Sequence, residues 1–142
     1  MITEIKRFNI RVYGLLLHNN QVLISKEQYQ DRSLVKFPGG GVEFGEGVIE
    51  TLKREFREEL QAEIIDYDIF HVTEELIPSA FDKTEQVIAI YYLVETNSKS
   101  FIDMEHEVYW QQLHIAELES IQFTFKQEQI VFTKLCKKLD GE

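Results

Sequence analysis

The residues best suited to chemistry lie in one stretch, Phe37 to Ala62, which reads FPGGGVEFGEGVIETLKREFREELQA. Three consecutive glycines follow Pro38, and such a run serves a backbone that takes positive φ values or approaches another group closely. From Gly47 onward, apolar residues recur at spacings of three and four, which predicts an amphipathic helix from about Gly47 to Leu60. The stretch therefore predicts a tight glycine bend that leads into a helix.

Carboxylates gather on one side of this predicted helix. At about 100° per residue, Glu58 and Glu59 lie within about 60° of Glu55, whereas the apolar residues centre about 100° away. Acids three and four residues apart on a helix repel one another. Arg54 is spaced to pair with Glu50 and Glu58, and a hard divalent cation with oxygen ligands would neutralise the remaining charge. The pattern predicts a metal site, and the alternative is a solvated acidic face on an ordinary helix.

The spacing of these residues resembles the Nudix box, the signature of the Nudix hydrolase superfamily. The matching positions are Gly40, Glu46 and the run Arg54-Glu55-Phe56-Arg57-Glu58-Glu59. One position departs from the pattern, because Gln61 stands where the family usually has a glycine that ends the helix in a left-handed conformation. We expect Gln61 to adopt that conformation or the helix to continue slightly further. The departure leaves every presumed ligand in place.

The resemblance implies a set of oxygen ligands for Mg²⁺, with Mn²⁺ as a substitute: the Gly39 carbonyl, Glu55, Glu58, Glu59, and Glu105 or Glu107. Glu55 would be either a ligand or the base that activates water. Arg54 would orient Glu55 and Glu58, and Glu46 would brace the bend against the helix. The resemblance to the family implies each of these assignments.

A further ligand is implied in the loop before the strand that holds Trp110. Family members often complete the metal site with a glutamate there, and Glu105 and Glu107 are the two candidates. We prefer Glu105 slightly, and a solvated loop acid is the alternative for each. The catalytic residues implied in total are Arg54, Glu55, Glu58 and Glu105.

Candidate substrate contacts lie outside the motif. Tyr29 and Arg32 fall in a polar stretch between two predicted strands, Lys36 precedes the glycine bend, and Phe81 lies in a later loop. Surface solvation is the alternative for Tyr29 and Arg32. In the subgroup that acts on ADP-ribose a proline follows the box, and Pro78 stands at the matching distance. A lone loop proline is common, so this marker carries little weight.

The rest of the chain predicts the elements that position the motif. Strands are predicted at 8–17, 21–25, 34–37, 63–76, 86–94 and 108–110, and helices at 113–118 and 125–139. The first two strands should form a hairpin with residues 14–17 covered on both faces, and the two long strands should pair antiparallel. Residues 42–44 add a brief extended segment. The fold class is therefore α/β, a mixed sheet flanked by helices, which agrees with the α/β/α sandwich that the resemblance implies.

Length and composition indicate the number of domains, the classes of partner and the cellular compartment. With 142 residues, of which 44 % are hydrophobic, the chain suits one domain, 1–142. A net charge of −10 argues against non-specific binding to nucleic acid or membrane, and no basic or aromatic pattern for long RNA is present. The N-terminus lacks a signal-peptide pattern, and the single cysteine, Cys136, suits a reducing compartment. We therefore expect a cytoplasmic protein.

Together these features predict a metal-dependent hydrolase that acts on a small phosphorylated nucleotide. It would cleave the pyrophosphate bond of a nucleoside diphosphate linked to another group, as in a nucleotide sugar, an ADP-ribose-like compound or a nucleoside triphosphate. The alternative is a Nudix-like domain that binds such a metabolite as a sensor without cleaving it. A purely structural acidic module is disfavoured, because an interaction helix does not need the glycine bend. The resemblance is also consistent with a homodimer.

Overall fold

The structure is a computed structural model that describes residues 4–101 and 107–140. Its elements in chain order are β1 (Arg7–His18), β2 (Gln21–Tyr29), β3 (Arg32–Lys36), β4 (Gly39–Gly41), α1 (Val48–Leu60), β5 (Ile64–Val72), β6 (Glu85–Thr96), β7 (Val108–Gln112), a 3₁₀ helix (Ile115–Glu117) and α2 (Lys126–Leu139). The predicted glycine bend thus leads into the predicted helix.

The strands form one mixed sheet in which β1 is central. Five of them follow the order β3-β2-β1-β6-β5. Strand β1 pairs in parallel with β6 and antiparallel with β2 and β4, and β7 pairs antiparallel with β2. Strands β5 and β6 pair antiparallel, as predicted. The mixed sheet expected from the sequence is confirmed.

The two helices pack against opposite faces of this sheet. On one face, Leu52 and Phe56 of α1 share a buried core with Val12 and Leu16 of β1. On the other face, α2 and β1 share a second buried core. It contains Val131, Phe132, Leu135 and Cys136 of α2 together with Tyr13 and Leu15 of β1. Successive residues of β1 therefore point into different cores, which is why the strand is apolar on both sides. The layers form the predicted α/β/α sandwich.

The main differences from the sequence prediction concern four segments. The segment between the predicted strands 21–25 and 34–37 is mostly strand, because β2 continues to Tyr29 and β3 begins at Arg32, and these two residues pair at the end of a hairpin. Strand β5 ends at Val72 instead of Leu76, and the residues after it leave the ladder before Pro78 forms an isolated bridge with Gln86. The strand next to β1 is formed by Gly39–Gly41 and ends before residues 42–44, of which Val42 donates one further N–H to the Ile10 carbonyl oxygen at 2.8 Å. The helix predicted at 113–118 is a single 3₁₀ turn.

Gln61 ends helix α1 in the left-handed conformation, with φ 53° and ψ 37°. Its N–H donates to the carbonyl oxygen of Arg57 at 3.1 Å. The sequence left two alternatives for this residue, and the structure selects the one in which a non-glycine residue takes the helix-ending conformation, at a cost of about 1 kcal/mol. The turn that carries Glu55, Glu58 and Glu59 therefore keeps its regular helical geometry.

Candidate functional site

The glycine bend lies in direct contact with β1 and with helix α1. Gly39 has a φ of 150°, and a Cβ atom there would overlap the carbonyl oxygen of Val12. A Cβ atom at Gly40 would overlap the carboxylate of Glu55. Position 39 therefore requires glycine, whereas a side chain at position 40 would displace the Glu55 carboxylate, which rests against the backbone of the bend.

Arg54 links this bend to the acidic face of α1. Its Nε donates to Oε2 of Glu46 at 2.5 Å and its Nη2 donates to Oε1 of the same carboxylate at 3.0 Å. Its Nη1 donates to Glu55 at 3.3 Å and to Glu58 at 3.2 Å, and Nη2 also reaches the Gly41 carbonyl oxygen at 3.3 Å. The guanidinium lowers the pKa of Glu46 to about 2. Arg54 thus contacts both acids that it was predicted to orient, and Glu46 joins the bend to the helix.

Glu50 caps the helix instead of pairing with Arg54. Its Oε1 accepts the backbone N–H of Gly47 at 2.6 Å. Arg54 is drawn to Glu46, which also accepts the Thr51 hydroxyl at 3.0 Å and the Glu43 N–H at 3.2 Å. The bidentate contact across eight residues outcompetes the local pair that the helical spacing predicted.

Glu59 meets a buried lysine. Lys36 is 2 % exposed, and its Nζ lies 3.8 Å from Oε2 of Glu59 and 3.5 Å from Oε1 of Glu27. Oε1 of Glu59 accepts the N–H of Gly39 at 3.3 Å. Burial raises the pKa of Glu59 to about 7, with Glu55 and Glu27 adding to the rise and Lys36 opposing it. Burial and the neighbouring carboxylates therefore disfavour the ionised form of Glu59, and the Lys36 ammonium offsets part of this effect.

The donors on this acidic face suit a hard divalent ion. Glu55, Glu58, Glu59 and the Gly39 carbonyl offer only oxygen, the ligand atom that Mg²⁺ and Mn²⁺ prefer. The Glu58 side chain is 60 % exposed and that of Glu55 is 15 % exposed, so the face opens to solvent at Glu58. Within residues 4–101 and 107–140, no three His, Cys, Asp or Glu side chains converge as a metal site. The donor chemistry fits the ion, and the ligand assignments stay predictions.

The remaining predicted ligands lie just before β7. Glu105 falls outside the described residues, so its role stays a prediction. Glu107 immediately precedes β7, and its carbonyl oxygen accepts the N–H of Lys26 at 2.6 Å. Glu107 lines a cleft of about 700 Å³ together with Glu58 and Glu59. The fold therefore brings Glu107 to the same cleft as two of the predicted ligands on α1.

A second cleft, of about 740 Å³, is lined by three of the four predicted substrate contacts, Tyr29, Lys36 and Phe81. The guanidinium carbon of the fourth, Arg32, lies 4.8 Å from the centre of the Phe81 ring. The ring centres of Tyr29 and Phe81 are 5.0 Å apart. Glu27, which faces Lys36, lines both clefts. The predicted substrate contacts thus lie near one another, and their functional role stays a prediction.

Sequence reasoning missed two polar pairs near these clefts. Glu128 is completely buried, its Oε1 accepts the N–H of Phe37 at 3.2 Å, and its Oε2 accepts the Tyr91 hydroxyl at 3.1 Å. Burial raises the pKa of Glu128 to about 8. Arg11 donates from Nε to the Tyr13 hydroxyl at 2.6 Å, and both line the second cleft. Acidic residues are common in the first turn of a helix, where they usually face solvent. The sequence therefore gives no sign that Glu128 is buried.

Solved structures with the same fold include MutT proteins from several organisms. A MutT structure described for Aliivibrio salmonicida and Vibrio cholerae has a TM-score of 0.70 at 20 % identity, over 94 % of this chain and 99 % of that chain. MutT from Burkholderia pseudomallei has a TM-score of 0.67 at 14 % identity, over 92 % and 98 %. MutT from Methanosarcina mazei has a TM-score of 0.65 at 19 % identity, over 96 % and 98 %. Identities this low support the fold alone.

Three further comparisons concern the sequence and the helices of this chain. A comparison with curated protein sequences finds no significant match. Among the described residues, no helix has the length and hydropathy needed to cross a membrane. A family model described as the NUDIX domain matches residues 7–134, which include the glycine bend, the acidic helix and most of α2. The chain therefore belongs to the NUDIX domain family.

Proposed function

We propose that this chain is a divalent-metal-dependent pyrophosphohydrolase that cleaves the pyrophosphate bond of a nucleoside diphosphate linked to another group. The observation that carries the proposal is the Arg54 network, in which one guanidinium contacts Glu46, Glu55 and Glu58 at once. A solvated acidic face does not require this arginine, nor does it require the Glu55 carboxylate to rest against the backbone at Gly40. Membership of the family supports the same conclusion.

In this proposal, the metal ion and the side chains of the protein have different roles in the hydrolysis. A bound Mg²⁺ or Mn²⁺ would neutralise charge on the phosphoryl oxygens and lower the pKa of the attacking water. The Gly39 carbonyl, Glu55, Glu58, Glu59 and either Glu105 or Glu107 would hold it. Arg54 keeps Glu55 and Glu58 in position, and one of these two glutamates would accept the proton of the attacking water. Because its side chain is mostly buried against the bend, Glu55 is the more firmly held of the two.

The cleft that contains Tyr29 and Phe81 supports a nucleotide as the substrate. Aromatic rings offer faces on which a base can stack, and the guanidinium of Arg32 is suited to a phosphate. Pro78 also lines this cleft, which keeps ADP-ribose-like compounds among the candidates beside nucleotide sugars and nucleoside triphosphates. The net charge of −10 disfavours long polyanionic substrates.

We also propose a cellular location and an oligomeric state. A cytoplasmic location is supported by the single cysteine, Cys136, which is buried and suits a reducing compartment. A homodimer is supported only by the resemblance to the family. Sedimentation velocity would measure the oligomeric state directly.

The test is hydrolysis of a panel of nucleotide compounds with Mg²⁺, followed by chromatography of the products. We expect Glu58→Gln and Glu59→Gln each to lower kcat/KM roughly tenfold or more, because each loses a charged ligand. Glu63→Gln is the matched control, since Glu63 pairs with Arg57 at 3.0 Å just beyond the same helix. It should leave turnover within about threefold of wild type.

Two outcomes would contradict the proposal. If Glu58→Gln and Glu59→Gln both keep turnover within about threefold, the metal-ligand assignment is wrong. If calorimetry detects nucleotide binding in the presence of Mg²⁺ but no compound is cleaved, the sensor alternative holds instead of the hydrolase.

A further inference from the structure

Arg11 presents a guanidinium group to the second cleft, the one that Tyr29 and Phe81 also line. Its Nε donates to the Tyr13 hydroxyl at 2.6 Å. Tyr13 is fully buried, so this contact restricts the orientation of the guanidinium. Among the residues that the structure describes, the guanidinium forms no ion pair and neither Nη atom donates to an acceptor. The two Nη groups are therefore available to a ligand in the cleft.

The alternation of side chains along β1 separates Arg11 from the acidic helix. Arg11 and Tyr13 share the face of β1 that packs toward α2, whereas Val12 between them belongs to the core under α1. The backbone of Arg11 pairs with Gly41 at the end of the glycine bend. The cleft therefore adjoins the bend but opens on the opposite face of the sheet from Glu55. A substrate whose diphosphate meets the acidic face can extend past the bend and place its base in this cleft.

The charged side chains that line the second cleft balance one another. The cations are Arg11, Lys36 and Lys126, and the carboxylates are Glu27, Asp82 and Glu85. A phosphate in the cleft would meet the carboxylates as well as the cations, so the lining suits a neutral ring better than an anion. The rings of Tyr29 and Phe81 offer apolar surface on which such a ring can stack. The chemistry of the cleft therefore favours a nucleobase that turns hydrogen-bond acceptors toward Arg11.

An arginine guanidinium distinguishes the bases by the acceptors that they present. Guanine carries two acceptors side by side, O6 and N7, and both can accept from one guanidinium. Adenine carries an amino group in place of O6, and its hydrogens would face the N–H groups of Arg11. Uracil, like thymine, offers O4 alone on the corresponding edge. The available Nη groups of Arg11 therefore match guanine best.

We propose that Arg11 determines the base specificity of this chain, and that the second cleft binds guanine with O6 and N7 against the two Nη groups. The inference rests on the proposed function, because it names the nucleoside of the same substrate. That substrate is then a guanosine diphosphate linked to another group. Arg11 holds the base and takes no part in bond cleavage, and Tyr13 orients Arg11.

The experiment measures the dissociation constants of guanosine monophosphate and adenosine monophosphate by isothermal titration calorimetry without divalent ions, so that binding is separated from hydrolysis. Arg11→Met removes the guanidinium and keeps an apolar stem. Arg11→Lys keeps the positive charge but cannot donate to two acceptors in parallel. Lys126→Met is the matched control, because Lys126 is an exposed cation that lines the same cleft. Circular dichroism checks that each variant folds.

We expect wild type to bind guanosine monophosphate roughly tenfold or more tightly than adenosine monophosphate, because a bidentate contact discriminates between the two bases. In each folded Arg11 variant the two dissociation constants should lie within about threefold of each other, chiefly through weaker binding of the guanine nucleotide. Lys126→Met should keep the wild-type ratio, since it removes a charge and leaves the contact with the base.

Equal affinities of wild type for the two nucleotides, or no binding of guanosine monophosphate, would overturn the inference even if neither Arg11 variant folds. An equal loss of affinity for both nucleotides in the Arg11 variants would also overturn it, because Arg11 would then contact the phosphate.

Hydrolysis with Mg²⁺ separates this inference from the proposed function. Cleavage of guanine and adenine compounds with equal kcat/KM would leave the hydrolase intact and overturn the specificity. Guanine-selective binding without cleavage of any compound would support the role of Arg11 and overturn the hydrolase.

Discussion

Phe37 donates its backbone N–H to Oε1 of Glu128 at 3.2 Å, and this bond joins helix α2 to the chain just before the glycine bend. The second carboxylate oxygen accepts the Tyr91 hydroxyl at 3.1 Å. The whole side chain is buried. One glutamate therefore ties α2, β6 and the segment that delivers Gly39 into a single unit.

We expect Glu128→Ala to lower the free energy of unfolding by about 2–4 kcal/mol, because it leaves two buried donors without an acceptor. Urea denaturation followed by circular dichroism measures the change. Glu119→Ala, at an exposed acid, is the control and should stay within about 0.5 kcal/mol of wild type. A loss below about 1 kcal/mol for Glu128→Ala would mean that other acceptors satisfy Phe37 and Tyr91.

Gly40→Ala should lower kcat by roughly tenfold to a hundredfold, because the added Cβ atom displaces the Glu55 carboxylate from the bend. Gly41→Ala is a close control, since its Cβ atom would lie 3.4 Å from Nη1 of Arg11, which is an ordinary van der Waals contact. Steady-state kinetics of both variants with the preferred substrate make the comparison. Equal activity of the two variants would show that the position of Glu55 does not limit turnover.

Arg54→Lys should reduce kcat roughly tenfold or more, because an ammonium group cannot reproduce the bidentate contact with Glu46 while also holding Glu55 and Glu58. Arg57→Lys changes the same residue type on the same helix, at an exposed pair with Glu63, and should retain near wild-type activity. Thermal unfolding checks that both variants fold. The proposed orienting role fails if the two variants have the same kcat.

We expect His71 to make the stability of the protein depend on pH. Its Nδ1 lies 2.9 Å from Nζ of Lys134 on α2. Burial and then Lys134 lower the pKa of His71, and Glu74 and Glu75 oppose the shift. Because the folded-state pKa lies below that of the unfolded chain, about 6.5, the unfolded chain takes up the proton first as the pH falls. Stability is therefore lost as the pH drops below about 6.5 toward the lower folded-state value.

We expect the Tm of wild type to fall further between about pH 7.5 and about pH 5.5 than the Tm of His71→Gln, which has no imidazole to protonate. Differential scanning calorimetry at the two pH values gives both differences. His18→Gln, at an exposed residue at the end of β1, is the control for the loss of an imidazole elsewhere. A wild-type pH dependence in His71→Gln would assign the effect to other groups.

The sequence by itself determined the acidic face and the strands that lead to it. Glu55, Glu58 and Glu59 lie within slightly more than one helical turn, so helical periodicity alone places them on one side of the helix. The glycine run predicted the close backbone approach, and the apolar run of β1 predicted burial on both faces. Each of these features depends on residues that are near one another in the chain.

Only the tertiary structure decided which partners these residues meet. Arg54 binds Glu46 across the bend and leaves Glu50 to cap the helix, because a bidentate contact is stronger than an exposed pair along a helix. Phe37 and Glu128 are 91 residues apart, so their hydrogen bond depends on how α2 packs against the sheet. Lys36 is buried for the same reason, since strand alternation does not say which helix covers a given face. Contacts between distant segments require the assembled layers, whereas the spacing of neighbouring residues is set by the geometry of the chain itself.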